Sequence, residues 1–343
     1  KIGMSFQEGA TSRHYTYDRQ GVRSVDQIVR GVFRHFNFST QTPIQYTESQ
    51  NSVGLYGQAE FDYDRNVYLT LASRNDWVSN FKQNSIFYPS VTVSWIPTKT
   101  FESIKSNEWG MNYLKVRGAY ATSAGFGPSG YPVATTLNLN ARYFQNNDSQ
   151  VIIANSFSSV LGNPDLRPEV YSEVELGFDS KFLKNRVSFD FSYFNRTTTD
   201  LITNRPLPPS SGFTSTTTNI GKIKGYGFEA DLGAHIIKND GNGFNWNMSA
   251  NFTKYRSYVD DLGQDTDIII MSGFTDLGNA AIAGQPFGVI IGSRIQRDAN
   301  GNYMVNSQGD YIIEEGQHIL GDPNPDWIGN ISNTFSYKNF NLN

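Results

Sequence analysis

The sequence predicts an all-β chain, the wall of a transmembrane antiparallel up-and-down β-barrel, and three observations carry that prediction. Extended segments alternate apolar and polar residues for roughly ten positions, tight turns largely alternate with long polar loops, and aromatic residues gather near strand ends. In VSFDFSYF, Val187, Phe189, Phe191 and Tyr193 fall on one side, with Ser188, Asp190 and Ser192 on the other. Successive side chains of a strand point to opposite faces, so one face meets something apolar and the other meets water. A soluble sheet over a core satisfies this pattern, and so does a barrel wall with lipid outside and a wet lumen inside. The rest of the chain has to choose.

Composition narrows the choice. The 343 residues are 14% aromatic yet only 38% hydrophobic and 17% charged, with a mean hydropathy of -0.45. Aromatic-rich but polar overall points to β structure. No window approaches the roughly 18 uncharged apolar residues of a membrane helix, whereas a barrel strand needs only about 9–11 alternating residues. The net charge of -4 leaves no basic footprint for nucleic acid. The absence of Cys removes disulfides, thiol nucleophiles and Cys-ligated metals. The opening KIGMSFQEG lacks the order of a signal peptide and already alternates Ile2, Met4 and Phe6 against Gly3, Ser5 and Gln7, so the chain is expected to begin inside a strand.

The strands follow in order. SVGLYGQAEFDYD carries Val53, Leu55, Ala59, Phe61 and Tyr63 on one face, turns at Arg65-Asn66 and returns as VYLTLASR. After the polar NDWVSNFKQNS comes YPSVTVSW, with Val91, Val93 and Trp95 in phase, then LKVRGAYA with Leu114, Val116 and Tyr120. A long stretch of Gly, Asn, Ser and Pro intervenes. YSEVELGFDSKF then pairs across Lys184-Asn185 with VSFDFSYF, and beyond NRPLPPSSGFTSTTT come GYGFEADLGAHI, the turn KNDGNG and FNWNMSANF. A long segment from Lys254 to Pro325 leads to WIGNISNTFSY, and Lys338-Asn339 turns it into FNL.

Loop lengths decide the class. One end of the strands has short turns and the other long loops, as in a barrel with short periplasmic turns and long extracellular loops; a sandwich has no reason to segregate them. PTKTFESIKSNEWGMN is a longer connection on the short side. Ten residues at roughly 3.4 Å, tilted about 40°, rise about 26 Å and match an apolar band of about 25 Å. Tyr63, Trp95, Trp246, Trp327 and Tyr337 lie near strand ends, where an aromatic girdle belongs.

Five phrases in sequence order resemble one family. YPSVTVSW, LKVRGAYATSAG, NPDLRPE, NIGKIKGYGFE and LGDPNPDW with SYKNFNL resemble the SusC/RagA-like TonB-dependent transporters of Gram-negative outer membranes. The resemblance covers most of the chain. It implies a partial barrel, about half of a 22-stranded one, with residues 1–343 forming part of the barrel domain. A plug domain and the terminal aromatic strand are expected to be absent from this chain. It further implies import of large nutrients, glycans or peptides, with outer-membrane lipid around the barrel. The implied partners are a SusD-like surface lipoprotein and TonB, the latter through the missing N-terminal region. In physical terms, Pro164 and Pro168 fix φ around a polar turn, while Gly221, Gly225 and Gly227 permit bends where a wide sheet curves.

The chemistry-bearing patterns read as architecture, and no catalytic residue, metal or cofactor is expected. GFGPSG matches G-x-G-x-x-G, but YPVATTLNLNARYF after it has no helical periodicity, so a flexible loop is the better reading. His14, His35, His235 and His318 are scattered without metal spacing. Asp298 to Asn302 reads as a turn rather than a calcium loop, since it lacks the further acidic ligands. Glu173 with Glu175 and Glu229 with Asp231 share strand faces that the barrel reading turns to the lumen. Arg74, Asp76 and Trp77 are the ligand-binding candidates, a charge pair and an indole at the loop end of a strand. The competing class, a soluble β-sandwich binding module or glycan hydrolase, would bury the alternating faces as a core.

Overall fold

The computed structural model describes all residues except 33, 35, 36, 83, 84, 107–109, 127–132, 146, 148–150, 220, 240–242, 264, 265, 275 and 276, with backbone alone described at 19–27, 38–46, 138–145, 151–154 and 274. Eleven strands form one antiparallel sheet. In chain order they are β1 (Ile2–Gln27), β2 (Phe38–Tyr63), β3 (Val67–Val78), β4 (Ser85–Trp95), β5 (Met111–Gly125), β6 (Glu169–Phe182), β7 (Val187–Thr199), β8 (Lys222–Ile237), β9 (Phe244–Asp261), β10 (Ile328–Tyr337) and β11 (Phe340–Leu342). Each pairs only with the preceding and following wall strand, and β1 and β11 are the two edges of an open wall. The up-and-down order expected from the sequence is therefore present.

The short connections are tight for a backbone reason. Asp64 and Arg65 (φ 53 and 53), Leu183, Lys184 and Asn185 (φ 56, 57 and 61), and Lys338 (φ 51) adopt left-handed conformations, whose twist suits a hairpin. Most of the KNDGNG turn lies outside the described residues. The exception foreseen on this side holds a turn of α-helix, Pro97–Thr100, followed by a 3-10 turn, Glu102–Ile104.

Strand register fixes the tilt of the wall. The row of directly opposed residues through Val67 runs Trp95, Val116, Phe178, Phe191, Ala230, Phe252 and Gly329. Val67 stands at the short-turn end, yet Phe191 is four residues inside Val187 (191 − 187) and Gly329 eight inside Tyr337 (337 − 329). The stagger is about one residue per strand. With roughly 3.3 Å along a strand and about 4.8 Å between strands, this corresponds to a tilt near 35°, the value a closed barrel requires.

The two faces differ in kind. Outward lie Ile2, Met4 and Phe6, then Leu69, Leu71, Val91, Val93, Leu176, Phe178, Phe189, Phe191, Leu232 and Ile331, in one register. These side chains do not close over a core, since Leu176 is 60% and Ile331 73% exposed. A ladder of rings runs across the same face: Phe178–Phe191 at 5.8 Å, Phe191–Phe228 at 6.1 Å, Phe228–Phe252 at 5.7 Å and Phe252–Trp327 at 5.8 Å. Such cross-strand pairs each contribute about 0.5–1.5 kcal/mol beyond burial. Ser180, on the same face, donates its hydroxyl to the Phe189 carbonyl at 2.9 Å. Tyr63, Trp95, Trp246 and Tyr337 mark the short-turn rim of this face. Trp77 lies ten residues above Val67 (77 − 67), and Trp327 ten from Tyr337 (337 − 327), on the opposite rim. Ten residues at a tilt of about 35° span about 27 Å, so the two aromatic rims bracket a band of membrane thickness.

A hydrophobic core does exist, but in a loop. Between β9 and β10, strands Ile268–Phe274, Leu277–Ile282, Val289–Gly292 and His318–Gly321 form a four-stranded sheet. Val259, Leu262, Ile269 and Ala281 pack beside Phe287, and Ala280, Val289 and Ile291 beside Ile268, Ile270 and Ile282. Beyond it the chain makes a three-sided prism closed by a ring of backbone hydrogen bonds. Gln296 N–H donates to the Ile312 carbonyl (2.8 Å), Ile312 N–H to Met304 (3.0 Å) and Met304 N–H to Gln296 (2.9 Å).

Candidate functional site

Among the described residues, the lumen face of β5, β6 and β7 carries a dense polar constellation. Arg117 stands opposite Gly177, where a Cβ would lie 2.9 Å from the guanidinium carbon and 2.7 Å from the Phe191 carbonyl. Glycine therefore leaves room for the guanidinium to lie across the strand. From there Arg117 Nη1 donates to Asp179 (3.0 Å) and Asp190 (3.1 Å), Nη2 to Asp190 (3.1 Å) and Ser192 (2.5 Å), and Nε to Glu175 (3.4 Å). Ser192 Oγ donates on to Glu175 at 3.1 Å, and Lys115 Nζ lies 4.0 Å from Asp179. Two cations thus face three carboxylates, stapling three strands whose partners lie far apart in sequence. Next to this cluster, Asp179, Lys181, Ser188, Asp190, Asp231 and Asn251 line a groove of about 400 Å³. The groove offers hydrogen-bonding and ionic contacts to a polar occupant.

The three sequence candidates separate. Arg74 and Asp76 share the lumen face, while Trp77, one residue on, alternates to the outer face opposite Val53 and Ser85. Arg74 Nε donates to both Asp76 oxygens (2.8 and 3.0 Å), and its Nη2 to Thr11 Oγ1 (2.7 Å). The Tyr88 hydroxyl also donates to Asp76. Gly54 faces this pair, and a Cβ there would meet Arg74 Nη2 at 2.1 Å. Asp76→Ala leaves both a guanidinium and a phenol without their acceptor. We expect a loss of about 1–2 kcal/mol, read as a lower unfolding midpoint in detergent, with Asp76→Asn intermediate.

The remaining patterns resolve as structure. Glu175 belongs to the Arg117 cluster, and Glu173 accepts from Arg196 Nε at 2.6 Å. His235 Nδ1 bonds Asn247 at 2.5 Å and His14 bonds Asn51, whereas His35 lies outside the described residues. Among the described residues no group of His, Asp or Glu could hold a metal. Gly127 to Gly130 of GFGPSG also fall outside them. Asp298 Oδ1 accepts the N–H groups of Asn300 and Asn302 at 2.9 Å each, and Oδ2 accepts Asn302 Nδ2 at 3.1 Å, so the carboxylate is occupied closing a turn.

The prism is tied at its base by Arg294, which donates from Nε and Nη2 to the two Glu314 oxygens at 2.8 Å each. The Arg294 hydrogen bond holds the Glu314 carboxyl below its ordinary range, and the Asn302 side chain does the same for Asp298. Depressed folded values stabilise above the unfolded value and cease to do so as pH falls through the folded one. The protection of amides across residues 294–314, relative to their intrinsic exchange, is therefore expected to hold near neutral pH and to fall as pH drops below the ordinary carboxylate range.

Sequence comparison places this geometry. A profile described as "TonB dependent receptor-like, beta-barrel" matches residues 2–343. TonB-dependent receptor P3 of Formosa agariphila is 26% identical over 331 residues, covering 89% of this chain and 32% of its own length. TonB-dependent receptor P39 of the same organism is 25% identical over 357 residues, covering 90% and 33%. The chain thus spans about a third of the length of these curated relatives. Among solved structures, the RagAB peptide transporter superposes with a TM-score of 0.75 at 19% identity, covering 99% of this chain and 41% of that one. The RagAB peptide importer in its "open-open" state gives 0.78 at 21%, covering 99% and 37%. The wall, its rims and the profile agree: this chain belongs to the TonB dependent receptor-like β-barrel family.

Proposed function

We propose that the chain is part of the barrel domain of an outer-membrane importer that takes up a large nutrient, a glycan or oligosaccharide. The observation that carries this reading is the division of one wall into a coreless apolar face between two aromatic rims and a charged lumen face organised by Arg117. A wall so divided separates lipid from a water-filled path. In the whole protein, a plug supplied by another part of the longer chain would close that path. TonB would drive its movement, and a SusD-like lipoprotein would cover the loop end. Arg74 and Asp76 remain the candidates for meeting ligand near the mouth, whereas Trp77 faces the lipid rim.

Aromatic groups on the exposed prism support the glycan reading: Tyr303 and Tyr311 pack edge to face at 5.7 Å, and the Arg297 guanidinium lies 4.0 Å over the Tyr303 ring. Flat exposed rings suit stacking on sugars. A peptide cargo is the second reading, favoured by the likeness to a structure described as a peptide importer. Growth of a strain lacking the full-length gene tests both. Loss of growth on an oligosaccharide, with growth on its monosaccharide and on oligopeptides intact, supports the first reading. Loss on oligopeptides alone supports the second, and undiminished growth on every oligomer refutes import.

A further inference from the structure

We propose that a shelf on the outer face, formed by Asn195, Tyr226, Lys254 and Arg256, binds the phosphate of an outer-leaflet lipid. Asn195, Tyr226 and Arg256 are directly opposed across β7, β8 and β9. The next row toward the short-turn end on the same face is Tyr193, Phe228 and Lys254. The inference rests on the membrane reading of this face and extends it to a particular headgroup chemistry.

The shelf stands high above the inner rim. Lys254 stands eight residues from the rim residue Trp246 (254 − 246) and Arg256 ten (256 − 246). At a tilt of about 35°, eight residues rise about 22 Å within a band of about 25 Å, so a lysine stem can carry its ammonium into the headgroup layer. A lysine facing hydrocarbon with no such outlet would be costly.

Both rows contain hydrogen-bond donors, and the one carboxylate bonded to them, Asp326, is taken up by Arg256. Among the described residues the side chains of Asn195, Tyr226 and Lys254 have no hydrogen-bond or ion-pair partner, whereas Lys222 and Lys224 nearby share Asp260 at 3.5 and 2.8 Å. Arg256 donates from Nη1 to the Pro325 carbonyl (3.0 Å) and from Nη2 to Asp326, which leaves its Nε. Adjacent strands lie about 4.8 Å apart, so donors on neighbouring strands can reach different oxygens of one phosphate. Beneath them the Phe228, Phe252 and Trp327 stack presents a continuous apolar surface to the acyl chains. Donors above rings, at this height and on this face, suit an anionic amphiphile better than a soluble anion.

The test uses the full-length protein in neutral detergent, with phosphatidic acid and phosphatidylcholine of identical chains titrated by native mass spectrometry. Wild type should retain phosphatidic acid preferentially, Lys254→Gln should bind it about fivefold more weakly, and Lys254→Arg should restore it. Lys184→Gln, at the short-turn end, should change nothing. Equal retention of both lipids, or no effect of Lys254→Gln, overturns the proposal. Displacement of the lipid by inorganic phosphate at equal concentration also overturns it, by assigning the shelf to a free anion. Each variant is checked for the heat-modifiable gel migration of a folded barrel. If the wild-type protein lacks it, the membrane reading fails, a result separate from a folded barrel that ignores the lipid.

Discussion

Arg117→Ala is expected to destabilise the wall by about 2–3 kcal/mol, one of the largest single-site effects the lumen face offers. Breaking a buried ion pair from one side costs about 3–5 kcal/mol, because the surviving charges lose their compensation. Here the arginine side chain remains 24% exposed, which lowers the figure through solvent screening. The mutant leaves Asp179, Asp190 and Glu175 on adjoining strands with Lys115 as their nearest cation. Pairing Arg117→Met with Asp190→Asn should recover a measurable part of the loss, since it removes the repulsion with the attraction. Denaturant unfolding of the detergent-folded barrel reads both effects. An unchanged midpoint in Arg117→Ala would mean that the cluster is already hydrated and contributes little.

The second large effect lies on the other face. Leu232 points outward opposite Ala250, four residues from Trp246 (250 − 246), which puts it near the middle of the apolar band. Leu232→Arg should cost about 2–4 kcal/mol, the penalty for a cation at the bilayer midplane of a barrel. Ser249→Arg, adjacent in sequence to Ala250 but lumen-facing opposite Gly233, should cost well under about 1 kcal/mol. The contrast between neighbouring positions is the test. Equal penalties would mean that both faces are packed against protein, as a β-sandwich demands.

How much of this was legible in the sequence depends on range. Alternation along Val187 to Phe194 is a local property of period two, so the strand and its faces could be read directly. The hairpins at Arg65-Asn66 and Lys184-Asn185 were legible because a short polar break sits between two alternating runs. Parity also held an unused signal: Asp76 and Trp77 are adjacent on a strand and cannot share a face, so the indole was never able to join the Arg74 pair. The Arg117 cluster was out of reach. Its acidic partners lie between 58 and 73 residues away, and only the pairing register brings them level. The stagger of about one residue per strand is likewise a relation between strands that no single segment contains. The loop sheet escaped because runs such as Ile268 to Met271 are short and do not alternate, so they resemble loop as much as strand.

The placement of the hydrophobic core outside the wall makes the chain heterogeneous in what holds it together. The lobe between β9 and β10 draws its cohesion from water, as any globular domain does, while the spanning strands depend on the amphiphile around them. The two parts should answer to different reagents. Exchanging a mild detergent for a harsh one would loosen the strands and spare the lobe, whereas moderate urea would melt the lobe first. A single melting temperature would then misdescribe the molecule, because its two ends obey different solvents.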